Sequence, residues 1–157
     1  FAAAGVPFMF DPGQGLPLLS AEALRRMVEL ATYLAVNDYE AKLLCSKTGW
    51  SMEDLRSQVE ALVVTRGEHG ALIFADGKQY DIPAVTAKRV VDPTGCGDAF
   101  RGGLLYGIEK GLDWPTTGRL ASLMGSLKIA EQGPQTYAPT RSDIEAQYVE
   151  AFGHRFE

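Results

Sequence analysis

The feature that most constrains this chain is a glycine-rich loop set between an apolar pair and a helical run. Residues 90–106 read V-V-D-P-T-G-C-G-D-A-F-R-G-G-L-L-Y. Val90 and Val91 run into the turn formers Asp92, Pro93 and Thr94, and Gly95-Cys96-Gly97-Asp98 follow. From Ala99 to Lys110 the pattern predicts a helix, with Gly111 as its stop. Glycines at 95 and 97 let the N–H groups of Gly95, Cys96 and Gly97 turn toward one point with no side chain in the way. The start of a helix adds unpaired N–H groups and partial positive charge. Such a loop is an anion site, and phosphate is the usual anion. Asp98 is electrostatically awkward in a pure binding loop. It makes sense as a base that takes a proton from a hydroxyl attacking a phosphate held there. The plainer alternative is a tight turn, with Asp98 capping the helix.

The rest of the chain alternates short apolar runs with amphipathic ones. Residues 6–10, 33–36 and 61–65 predict buried strands. A helix over 21–31, capped by Ser20, places Leu24, Met27, Val28 and Ala31 on one face. Asn37 and Glu40 predict the next helix start, an Asn cap with an acidic first turn. Ser51 opens another helix through a capping box, turning Leu55 and Val59 inward, with Trp50 as a packing residue. Strands at 71–74 and 78–82 meet at the turn Asp76-Gly77. A helix over 116–131 points Leu120, Leu123, Met124 and Leu127 inward. A last capping box at Ser142 opens a final helix carrying Ile144, Tyr148 and Phe152. This order predicts an α/β layered domain over residues 1–157, with a largely parallel central sheet. The chemistry-bearing residues fall at strand ends and helix starts, where open α/β sheets bind ligands.

Composition narrows the function. A net charge of -5 with no basic stripe argues against a nucleic-acid polymer as partner. Cys45 and Cys96 have no framework spacing, which points to a reducing, cytoplasmic compartment. The apolar start is too short for a membrane span and Pro7 interrupts it. No G-x-x-x-x-G-K-[S/T] loop is present, and Phe100 stands where a dinucleotide fingerprint needs its third glycine. The chain opens on Phe1 in what reads as the middle of an element, which predicts a piece of a longer protein.

The string D-P-T-G-C-G-D-A-F resembles the second signature of the PfkB/ribokinase family of sugar and nucleoside kinases. That resemblance implies a ribokinase-like layered α/β/α fold, with the N-terminal half and the lid outside this chain. It implies ATP as donor, Mg²⁺ as cofactor and a small-molecule nucleoside or sugar as acceptor. The N-x-x-E of Asn37 and Glu40 resembles the family's magnesium and phosphate motif, in which Glu40 would hold water around a Mg²⁺ riding on ATP. Thr65-Arg66-Gly67-Glu68-His69-Gly70 resembles the T-x-G-x-x-G element that contacts ATP, so Thr65, Arg66, Gly67 and Gly70 become candidate nucleotide residues. Ser122 lies among small residues that can make room for adenine. Asp92, Thr94 and carbonyls around Gly133 match positions near a monovalent cation such as K⁺. The resemblance runs most toward adenosine-kinase-type members, with ribokinase and fructokinase as competitors. A different class, a non-catalytic nucleotide-binding module or an inactive fragment, also fits a chain of this length.

Overall fold

The computed structural model describes residues 1–157, which form two compact units. One comprises residues 1–66 and 72–80, the other residues 67–71 and 81–157.

The first unit is built on a sheet of five strands in sequential order. These are β1 (Met9–Phe10), β2 (Tyr33–Asn37), β3 (Ala61–Thr65), β4 (Ala71–Ala75) and β5 (Lys78–Ile82). The first three run parallel, with Met9 beside Tyr33 and Asn37 beside Thr65. Parallel neighbours need crossover connections, which α1 (Ala21–Leu30) supplies first. The second comes from α2 (Asp38–Thr48) and α3 (Met52–Gln58). Right-handed crossovers stepping one way put their helices on one face, and α1 packs on both α2 and α3. The five residues between β3 and β4 are too few for a crossover, so the sheet is mixed at this edge. Asp76 (φ 54) and Gly77 (φ 68) then make the two-residue turn between β4 and β5 that the sequence predicts.

Leu16, Leu24, Val28, Leu34, Val36, Leu44, Leu55 and Leu62 form one core here. Trp50 packs against it, with the Arg25 guanidinium over the indole ring at 5.8 Å. Two expectations need correction. The strand expected over 6–10 shortens to Met9–Phe10. Val6 is 46% exposed, and the chain joins the sheet only at Phe8, whose carbonyl accepts the N–H groups of Thr32 and Tyr33. Pro7, which has no N–H to give a ladder, stands just before that junction. Met27 is the second: it is 38% exposed, at the edge of the α1 stripe that Leu24 and Val28 occupy.

The second unit carries α4 (Cys96–Glu109), α5 (Trp114–Ile129) and α6 (Arg141–Phe152). Asp113 caps α5 by accepting the Thr116 N–H at 2.7 Å, with Pro115 in the first turn. Leu120, Leu123, Tyr148 and Phe156 are its core, with the Tyr148 and Phe156 rings edge to face at 5.1 Å. Leu127 is partly buried against this cluster and Met124 is half-buried. Lys128, a charged residue, is fully enclosed on that helix. The final helix opens two residues earlier than expected. Thr140, not Ser142, is the cap, exchanging hydrogen bonds with Asp143 as a capping box. Helices α4 and α5 meet along a seam of small residues. A Cβ on Gly103 would stand 2.6 Å from Ala121 Cα, and one on Gly107 would stand 2.5 Å from Thr117 Oγ1.

Candidate active site

The carboxyl ends of the parallel strands in the first unit carry Asn37 and Thr65, which are register partners. Asn37 ends β2 and caps α2. Its Oδ1 accepts the Glu40 N–H at 2.7 Å, and Glu40 Oε2 accepts the Asn37 N–H at 2.8 Å. The reciprocal pair locks a partly buried carboxylate at a strand end and leaves its second oxygen for other work. Arg66 follows Thr65 at the end of β3. No group of three or more His, Cys, Asp or Glu stands together to cage a metal. A Mg²⁺ that arrives on substrate phosphates and keeps its waters needs only one or two carboxylates, and Glu40 fits that demand.

In the second unit, Gly67–His69 forms a single 3₁₀ turn, with Gly67 at φ 57. Gly70 at φ 77 is fixed by packing, since a Cβ there would fall 2.0 Å from the Ile82 carbonyl.

The glycine loop itself differs from its expected form. Helix α4 starts at Cys96, not Ala99, and Gly95 is its cap at φ 82 with no side-chain bond. Cys96, Gly97 and Asp98 are therefore the first helical turn. The cap position belongs to a residue without a side chain, so the exposed Asp98 carboxylate is not consumed by capping. The Cys96 N–H is committed to the Pro93 carbonyl at 3.1 Å, which removes it from the expected trio of anion donors. Gly97 and Asp98 occupy the positions whose N–H groups a helix leaves without carbonyls one turn back. Arg101 lies one turn on, and its Nη1 is 2.6 Å from where a Gly97 Cβ would stand. Glycine at 97 thus lets a guanidinium fold over the helix start. Burial pushes the Cys96 thiol up, with Lys128 pulling it partly back, so Cys96 offers no thiolate nucleophile.

Asp92 anchors the loop. Its Oδ1 accepts the Thr94 N–H at 2.9 Å, and Oδ2 accepts Gly133 N–H at 2.8 Å and Gln132 Nε2 at 3.2 Å. The Thr94 bond first, then the Gly133 bond, hold its carboxyl down at about 2. Lys128 Nζ donates to the main-chain carbonyls of Asp92 (2.9 Å) and Glu131 (3.1 Å). The Ile129 carbonyl takes the N–H groups of Val91 and Asp92. Gly95 is pressed against Pro134, whose Cβ would lie 2.9 Å from an added Cβ.

Ser122 does not present a free hydroxyl. Its Oγ donates to the Pro83 carbonyl at 2.8 Å and accepts the Val85 N–H at 3.1 Å. It ties α5 to the segment that walls a cavity of about 960 Å³, lined among others by Ala84, Val85, Ser126 and Tyr137. A cavity of that size accepts a nucleotide base.

No motif in the sequence includes Lys128. A signal for Lys128 existed: it falls four residues after Met124 and eight after Leu120, on the inward face of α5.

Residues 1–141 match the model of the pfkB family carbohydrate kinases. Among curated proteins, a nucleoside kinase of Methanocaldococcus jannaschii is 36% identical over 131 residues, 83% of this chain and 43% of that protein. A ribokinase of Lactococcus lactis is 35% identical over 125 residues, 79% of this chain and 41% of that protein. The solved structure of Burkholderia thailandensis nucleoside kinase in complex with inosine superposes with a TM-score of 0.97 at 69% identity. It covers 98% of this chain and 52% of its own, and the same protein has been solved with ADP-inosine. The chain thus spans about half the length of the relatives it matches.

Proposed function

Because the chain belongs to the pfkB family of carbohydrate kinases, we propose that the protein containing it transfers the terminal phosphoryl group of ATP to a hydroxyl of a nucleoside. Asp98 carries this reading. It is a carboxylate in the first turn of a glycine-capped helix, where an anion is favoured, and it is not itself the cap.

In the proposed step the acceptor hydroxyl gives its proton to Asp98 as its oxygen bonds to phosphorus. The bond from phosphorus to the bridging oxygen of ADP breaks, and ADP leaves with that electron pair. Gly97 and Asp98 N–H groups face the charge that builds on the transferred group, helped by the Arg101 guanidinium. Preorganised donors of this kind contribute about 3–4 kcal/mol each to transition-state stabilisation. Thr65, Arg66 and Gly67 seat the nucleotide. Glu40 would hold water around a Mg²⁺ carried in on ATP, and that ion would supply charge neutralisation. Asn37 fixes Glu40 through the capping box.

A nucleoside acceptor is favoured over a free sugar by the nucleoside kinases among the relatives, one of them 69% identical and solved with inosine. Adenosine and inosine are the first candidates. Ribose, supported by the 35% identical ribokinase, is the second reading. The test is phosphoryl transfer from ATP by the full-length protein to adenosine, inosine, ribose and fructose. Nucleoside monophosphate as the dominant product supports the proposal. Nucleotide binding with no transfer to any of the four would favour a non-catalytic module.

A further inference from the structure

We propose that the Lys128 ammonium stands where a monovalent cation would be expected, making this protein's phosphoryl transfer independent of potassium. The inference rests on the kinase reading above.

The family resemblance sets the side chains of Asp92 and Thr94 and carbonyls around Gly133 near such an ion, and the residues present do not fit one. The Asp92 carboxylate is already engaged by Thr94 N–H, Gly133 N–H and Gln132 Nε2. Gly133 turns its N–H, a donor, toward this point. Carbonyls beside this point are already engaged: those of Asp92 and Glu131 accept Lys128 Nζ, at 2.9 and 3.1 Å, and that of Gln132 accepts the Thr136 hydroxyl. A lysine ammonium carries the same single charge and offers three donors. Here it is fully buried, and among its charged neighbours is the Asp92 carboxylate, whose proton affinity it lowers. Lys128 also sits one residue from the end of α5, where helix carbonyls favour a cation.

The consequence is mechanical as well as electrostatic. The ammonium pins the Asp92 carbonyl to the turn after α5, beside the Val91 and Asp92 N–H bonds to Ile129. Three residues later comes Gly95, the cap of the helix that carries Asp98. Lys128 is therefore a positioning residue: it holds the loop in register with no ion to recruit.

The experiment uses the full-length protein with ATP and a nucleoside, with potassium chloride exchanged for tetramethylammonium chloride at equal ionic strength. Turnover is expected to change by less than about twofold, the range of a non-specific salt effect. Thermal unfolding of the same samples is expected to show no saturable stabilisation by potassium. Lys128→Met is expected to lose turnover in tetramethylammonium and regain it saturably with potassium or ammonium. A wild-type protein whose turnover or melting temperature rises saturably with potassium overturns the proposal. So does a Lys128→Met protein that keeps wild-type turnover in tetramethylammonium. If the variant does not fold, the wild-type ion series decides alone. Absence of turnover in every salt refutes the kinase reading instead, and the potassium dependence of melting still decides the role of Lys128.

Discussion

Replacing Gly103 by alanine puts one methyl group into the seam between α4 and α5, and the structure fixes where it goes. The added Cβ would lie 2.6 Å from Ala121 Cα, 2.9 Å from Ala121 N and 3.2 Å from Leu120 C. Carbon atoms sit comfortably at about 3.5–4.0 Å, so the helices must part by about 1 Å. All three obstructing atoms are backbone, so no rotamer change relieves them. Overpacking of this sort costs about 1–3 kcal/mol, and a backbone clash belongs at the upper end. Alanine returns about 1 kcal/mol over glycine in helix propensity. A net loss of about 2 kcal/mol is expected, read as a lower urea midpoint at unchanged slope. Turnover should fall further than stability alone explains, because α4 carries Asp98 and α5 carries Lys128. Adding Ala121→Gly should not restore either quantity, since the clash is with the main chain of residue 121 and not its methyl. A Gly103→Ala protein as stable as wild type would refute the seam as described, as would rescue by Ala121→Gly.

Two further predictions follow from single side chains. Asp92 has its carboxyl held at about 2, below the usual unfolded value of about 3.9. A depressed carboxylate stabilises the fold above the unfolded value and loses that contribution as pH falls through the folded one. The wild-type protein should therefore lose more stability between pH about 4 and about 2 than Asp92→Asn, by acid titration of unfolding. Glu40→Gln keeps an acceptor for the Asn37 N–H and should fold normally. Its apparent Mg²⁺ requirement should rise by about 10–100-fold in turnover assays, and an unchanged requirement would remove Glu40 from the metal's surroundings.

Much of the fold was legible because its signals are local. Capping boxes at Asn37 and Ser51, the turn at Asp76-Gly77 and the β-branched strand at 61–65 each declare themselves within a few residues. The errors have a common physical form. A capping pattern can be written in two frames, so Ser142 looked like the start that Thr140 makes. A helix can begin on residues that are poor helix formers when a loop holds them, so α4 starts at Cys96 and takes Gly97 and Asp98 into its first turn. That shift matters for the site, because it turns Asp98 from a possible cap into an exposed first-turn carboxylate. The Cys96 N–H went to Pro93, and the Ser122 hydroxyl to Pro83 and Val85, through bonds that no spacing rule exposes. Lys128 was hardest to see: a lysine on a helix is ordinarily solvated, and its burial depends on carbonyls supplied from Asp92, 36 residues away, and from Glu131.

Base catalysis by Asp98 is the step on which the proposed phosphoryl transfer turns. Asp98→Asn in the full-length protein preserves the size of the side chain and the helix start while removing the proton acceptor. General base catalysis is worth about 10²–10⁴-fold in rate. ATP affinity, measured calorimetrically, is expected to stay within a small factor of wild type, with kcat lower by about that range. Near-normal kcat in Asp98→Asn would contradict it.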